Sequence, residues 1–291
     1  MHRHRFLDKT LLAIADVAEQ AFFSESHARM QGLLQSIDVR IKLVSFAFLL
    51  VVVSLLHSPQ ALWVMSGAGL LFAIFSRIPL RFYLGRVLLI VPLFSAIVVL
   101  PALLNIITPG ETVLVLAKLD HAVTWGPYTI PAEIAVTRQG IWGAITFVSR
   151  VAASVSFAVL LTVTTRWSDI FSGLRSLFVP RVFVMTLAMT ERYIFVLLRL
   201  IQDLARARKS RTIHPLPAAG ERSWVASRIG FLFRRSMELS HNIYQAMLSR
   251  GYHGEAIPLA RPRAVAGDYL WLVFVLLFGG IMLALERGLL R

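Results

Sequence analysis

The chain has 291 residues, 57% of them hydrophobic and only 16% charged, with a net charge of +14 and no cysteine. A soluble domain is roughly 45–50% apolar, so a mean hydropathy of +0.69 excludes an ordinary water-soluble globule. The missing thiols exclude disulfides, thiolate metal sites and cysteine nucleophiles. The basic excess lies between apolar runs, which fits membrane-flanking loops and argues against nucleic acid as a partner.

Segment 1–36 opens on the basic MHRHR and continues as 8-DKTLLAIADVAEQAFFSESHARMQGLL-34. Apolar residues at 11, 12, 14, 17, 18, 22 and 23 predict an amphipathic helix lying on the membrane or over neighbouring helices. It has neither the continuous apolar core nor the small-residue cleavage site of a signal peptide. His2 and His4 are the nearest thing to a metal pair, and terminal histidines among arginines are more often bystanders.

Residues 37–165 hold four apolar segments close to the length a bilayer asks for, about 17–25 residues: 41–56, 60–75, which is short, 87–107 and 141–163. The fifth, 269–285, falls in the final segment 256–291. Pro92 and Pro101 predict kinks in the third. Arg150 stands near the middle of the fourth, where a charge is costly and marks either a bundle-fixing bond to a carbonyl or a contact to a partner. Between the third and fourth, 108–140 reads as an external loop or hairpin with a little strand. Small residues at Gly67, Gly69, Gly279 and Gly280 suit close helix packing.

Segment 166–255 is of a different kind. A short helix is predicted from a Ser168 or Asp169 cap, with Ile170, Phe171, Leu174 and Leu177 on one face, ending at Pro180. A run without Gly or Pro follows over 182–211, then the breaker 214-HPLPAAG-220, then a second long helix over 221–250. Thirty helical residues extend about 45 Å, so two such rods make a stiff element. Sixteen Lys or Arg lie from Arg166 to Arg263, which assigns this block, and the N-terminus, to the cytoplasm. Both rods end on an arginine, in 210-SRT-212 and 249-SRG-251. The helix dipole favours a cation there, but a guanidinium at a rigid tip also offers a five-donor fork to a carboxylate on a partner. No Gly-x-x-x-x-Gly-Lys-Ser/Thr loop is present to cradle ATP, so any energy comes from elsewhere.

These pieces together resemble the transmembrane T component of energy-coupling factor importers, most closely the CbiQ type of cobalt and nickel transport. The resemblance rests on 38-DVRIKL-43, similar to that family's Asp-Pro-Arg-x-Lys with Val39 in place of proline, on 162-TVTTRWSDIFSGLRSLFVP-180, on 190-TERYIFVLLR-199 and on the two arginine tips. It covers about residues 36–255.

The resemblance implies an all-α polytopic protein of the bacterial cytoplasmic membrane, with about five spans and long cytoplasmic coupling helices. It implies a non-catalytic scaffold with no bound cofactor. Two ATP-binding cassette subunits would use ATP and magnesium, and a CbiM-like membrane subunit would hold cobalt, nickel or another cargo. Arg211 and Arg250 would be the docking residues, within Ser210-Arg211-Thr212 and Ser249-Arg250-Gly251, with Arg208 competing for the first role. Arg150, Glu191 and Arg192 would be coupling or structural residues. A free-standing secondary transporter, a vitamin T component serving biotin and a membrane enzyme are the competing readings. The first of these wants charged pairs at mid-membrane.

Overall fold

The computed structural model describes residues 32–103, 105, 110–118, 123–125, 128–130, 133–175, 177, 179–211, 217–254 and 265–289. The amphipathic N-terminal segment is almost wholly outside them, as are Thr212, His2 and His4.

In chain order the helices are α1 Leu33–Ser36, α2 Val39–Leu55, α3 Pro59–Phe75, α4 Leu80–Leu84 and α5 Val91–Val99. A π-helical turn, Gly85–Ile90, joins α4 to α5, and a 3-10 turn, Leu100–Leu103, follows α5. Strands β1 Thr112–Lys118, β2 Val123–Trp125, β3 Tyr128–Ile130 and β4 Glu133–Thr137 come next, then α6 Arg138–Thr164, α7 Trp167–Leu174, α8 Arg181–Arg211, α9 Ala218–Ser249 and α10 Ala266–Leu289. The chain divides into two compact units. One is a helical bundle, 27–166 with 263–291; the other, within the described residues, is 167–254.

The bundle is organised by α6, which packs against α2, α3 and α5, while α10 packs on α2. Phe46, Leu49, Val52 and Val53 of α2 are fully buried together with Leu62, Met65, Phe157, Leu160 and Val275. Phe46 meets Phe157 edge-on at 6.1 Å, and Phe72 meets Trp271 at 5.1 Å. The outside is as apolar as the core: Trp63, Leu71, Phe94, Val98, Leu270 and Leu277 are all exposed. So large an exposed apolar surface is what a hydrocarbon solvent permits.

Among the described residues two helices, α6 and Ala266–Gly288 of α10, are individually long and apolar enough to cross a bilayer. The five expected spans are therefore not alike. α2 and α3 have 17 residues each. The third begins at Leu80 rather than 87, so Arg81 and Arg86 are inside helical structure and not in a loop. Its π turn lies just ahead of Pro92. A proline removes one backbone donor, and a widened turn next to it is a usual way for a membrane helix to absorb that loss.

The 108–140 segment carries two antiparallel pairs. β1 pairs with β4 from Thr112–Thr137 to Lys118–Glu133, and β2 pairs with β3. The ladder leads straight into α6, whose N-cap Thr137 accepts a hydrogen bond from the Gly140 amide at 3.0 Å.

The glycines divide by what surrounds them. A Cβ on Gly69 would come within 2.1 Å of Ser156 Oγ, and one on Gly279 within 2.5 Å of Phe48. Gly67 and Gly280 face open space. Close approach therefore occurs at one glycine of each expected pair. At Gly69 it makes room for a buried hydrogen bond between Tyr83 and Ser156.

Candidate partner-docking site

The unit 167–254 is built on α8 and α9, 31 and 32 residues long, or about 46–48 Å at 1.5 Å per residue. The last three residues of the expected breaker 214-HPLPAAG-220 are already helical, because α9 starts at Ala218 and not at 221. Trp167 opens α7, so Ser168 and Asp169 lie inside its first turn and do not cap it as expected. An acid in that turn still favours the helix dipole.

The second tip is a complete glycine-terminated cap. Gly251 has φ +80; its amide donates to the Leu248 carbonyl at 2.9 Å, and the Tyr252 amide donates to Met247 at 3.0 Å. These two bonds satisfy the last carbonyls of α9 and turn the chain back. Glycine is required because a side chain is disfavoured at that φ. Arg250 is the C-cap residue itself, exposed, and among the described residues its side chain has no hydrogen-bond or ion-pair partner. Ser249 folds its hydroxyl onto the Gln245 carbonyl at 2.9 Å. The Tyr252 hydroxyl then donates to Met185 Sδ at 2.9 Å, fastening the tip to the start of α8.

The first tip is α8's last described residue, Arg211, which is likewise exposed with no side-chain partner among the described residues. Ser210 bonds the Ala207 carbonyl at 2.9 Å. Arg208 is placed quite differently. Its side chain is 7% exposed, it pairs with the equally buried Glu221 at 3.4 Å, and it lies 4.3 Å over the Trp224 ring. Of the two arginines that competed for the first docking role, Arg208 is buried and ties the end of α8 to the start of α9, and Arg211 is exposed.

Between these two ties α8 and α9 leave an apolar groove of about 550 Å³. Met185, Met189 and Met247 line it with Tyr193, Tyr244 and Tyr252. The sequence pattern foretold an apolar face on each rod but not the space between them. Glu191 is half-buried and engaged, while Arg192, its neighbour in α8, is exposed.

Arg150 lies in the bundle, where its guanidinium donates to the Leu56 carbonyl at 2.7 Å. Leu56 is the C-cap of α2, so this arginine meets the end of the α2–α3 hairpin. It stands at the middle of α6, as the sequence has it, and its bond is the carbonyl one; it is level with the end of α2 because the first half of α6 continues past the hairpin. Among the described residues no group of three or more His, Asp or Glu side chains could hold a metal ion.

Residues 30–259 match the family described as cobalt transport protein, CbiQ. An uncharacterized protein of Methanocaldococcus jannaschii is 34% identical over 287 residues, covering 99% of this chain and 94% of that one. The cobalt transport protein CbiQ of Rhodobacter capsulatus is 27% identical over 83% of this chain and 90% of its own. The nickel permease LarQ of Lactiplantibacillus plantarum is 28% identical over a shorter stretch, 38% of this chain and 43% of its own. With an apolar-surfaced helical bundle and a family match over most of its length, this chain belongs to the CbiQ family of cobalt transport proteins.

Proposed function

We propose that this chain is the membrane coupling subunit of an ATP-driven importer of cobalt or nickel ions. On this reading it is not an enzyme and binds no ATP; two cytoplasmic ABC ATPase subunits hold ATP and magnesium, and a separate membrane subunit holds the ion. The names of two relatives support the cargo, one a cobalt transport protein and one a nickel permease. The observation that carries the mechanism is Arg250, exposed on a glycine-terminated helix end with no side-chain partner among the described residues. A guanidinium held outward by a fixed cap can enter an acidic groove on a partner without first giving up an internal bond.

The α8 and α9 rods lie on the cytoplasmic side and carry the ATPases' movement to the ion-binding subunit. Methionine-rich surfaces adapt to apolar helices, so the α8–α9 groove suits that subunit. The module is inner-membrane associated, with the N-terminus on the same side.

The test is co-purification from membranes. Arg211→Glu with Arg250→Glu leaves the chain in the membrane and strips it of its ATPases, and each single reversal weakens the complex less. Retention of both ATPases at normal stoichiometry by the double variant refutes docking through these tips. Ion uptake by the chain alone in proteoliposomes would instead establish a free-standing carrier.

A further inference from the structure

Among the described residues the chain leaves the bundle after Arg166 and has re-entered it by Val265. On the bundle side both crossings are held by the same short stretch, Asp38 to Lys42, at the start of α2. Lys42 is 1% exposed, and its ammonium donates to the Thr164 carbonyl and to Thr165 Oγ1, each at 3.3 Å. Those are the last residue and the C-cap of α6, one position before the chain leaves the bundle. At the other crossing the Asp38 amide donates to Asp268 Oδ1 at 3.1 Å, and Asp268 Oδ2 accepts from the Val265 amide at 2.8 Å. Asp38 also caps its own helix through the Arg40 amide, and its carbonyl receives the Lys42 amide. One helical turn thus joins both grips.

A methionine would fill the space of Lys42 without taking a charge out of water, which is expensive even when the charge is paired. What the ammonium supplies instead is a directional bond to the negative end of the 27-residue α6, where a cation is most favoured. Hinges need fixed ends: a rod turns a partner only if the points where it is mounted stay still. We propose that Lys42 and the Asp38–Asp268 pair are positioning residues that anchor both mounting points, so that movement of the 167–254 unit is delivered to the ion-binding subunit and not dissipated in the bundle. The inference rests on the coupling reading above and adds to it the site where the stroke is resisted.

The experiment uses the full complex in proteoliposomes, measuring ATP hydrolysis and cobalt uptake together. Lys42→Met keeps its ATPases and hydrolyses ATP, but ions imported per ATP fall by about tenfold or more, since both charge-assisted hydrogen bonds to the end of α6 are lost together. Lys42→Arg recovers most of that ratio because it restores a donor to the α6 end. Thr165→Val, which removes one of the two acceptors, gives a smaller loss in the same direction. An unchanged ratio in Lys42→Met overturns the anchor, and it leaves the coupling reading intact if the Arg211, Arg250 double reversal still releases the ATPases. Should Lys42→Met fail to reach the membrane, Thr165→Val decides alone, and a wild-type ratio there overturns the anchor. A wild-type chain that retains no ATPases overturns the anchor and the coupling reading together.

Discussion

Lys42 and Arg150 perform one task at opposite ends of an antiparallel helix pair. Lys42 of α2 donates to the terminal carbonyl of α6, and Arg150 of α6 donates to the C-cap carbonyl of α2. From 42 to 56 and from 150 to 164 the spacing is the same, so the two bonds fix one register. Each cation also sits where the partner helix's dipole is negative.

Arg150→Met removes one of these bonds and leaves the Leu56 carbonyl unpaired. The cost is about 1–2 kcal/mol, a fall of about 2–4 °C in the unfolding midpoint for a chain of this size. Thermal unfolding of the detergent-solubilised protein measures it. ATPase co-purification stays intact, which separates this residue from the tips.

Gly251→Val keeps Arg250 but places a β-branched residue at φ +80. Such a residue costs about 1–2 kcal/mol there, enough to fray the cap. Binding of the ATPases to nanodisc-embedded protein weakens by roughly fivefold to thirtyfold. Equal binding by wild type and variant would show that cap geometry does not matter to the tip.

The Arg208–Glu221 pair predicts a cycle rather than a single number. Arg208→Met strands a carboxylate that is 7% exposed, at a cost of about 3–5 kcal/mol. Adding Glu221→Met removes the stranded charge and recovers most of the loss. Unfolding midpoints of the wild type, the two singles and the double variant read the coupling directly. A double variant no better than Arg208→Met alone would mean the pair is not what ties α8 to α9.

How much of this was legible in the sequence depends on the range of the interaction. The α8 and α9 rods were readable because their cause is local: no Gly or Pro over 182–211, a proline break after it, and a glycine at 251. The role of Asp38 and Lys42 was not. Their motif stood out only as a likeness, since the partners lie 230 and 122 residues away in sequence. For Arg150 the kind of bond was legible, one to a carbonyl that fixes the bundle, but the carbonyl it meets was not. That partner depends on where α2 ends beside α6, and hydropathy of α6 alone carries no such information. The apolar groove likewise needs both helices placed before it exists.

Gly69→Val forces a side chain into the space now occupied by Ser156 and Tyr83, and overpacking of that kind costs about 1–3 kcal/mol. Gly67→Val, two positions away on the same helix and facing open space, leaves stability near wild type. The contrast between the two midpoints is the measurement, and a similar fall in both would place the packing elsewhere.

The last helix sets a dimension. Asp268 holds the amide of Asp38 just before α2, and Glu286 accepts the amides of His57 and Ser58 just after it. These two buried carboxylates are 18 positions apart on α10, about 27 Å along a helix axis. Polar grips at both limits hold α10 and α2 at one axial register, so the apolar belt between them keeps a fixed length. At about 27 Å the belt is slightly shorter than the roughly 30 Å of an average bilayer. A bilayer matched to that belt is thinner than average, so the thermal stability of the reconstituted protein is expected to be greatest in short-chain lipids.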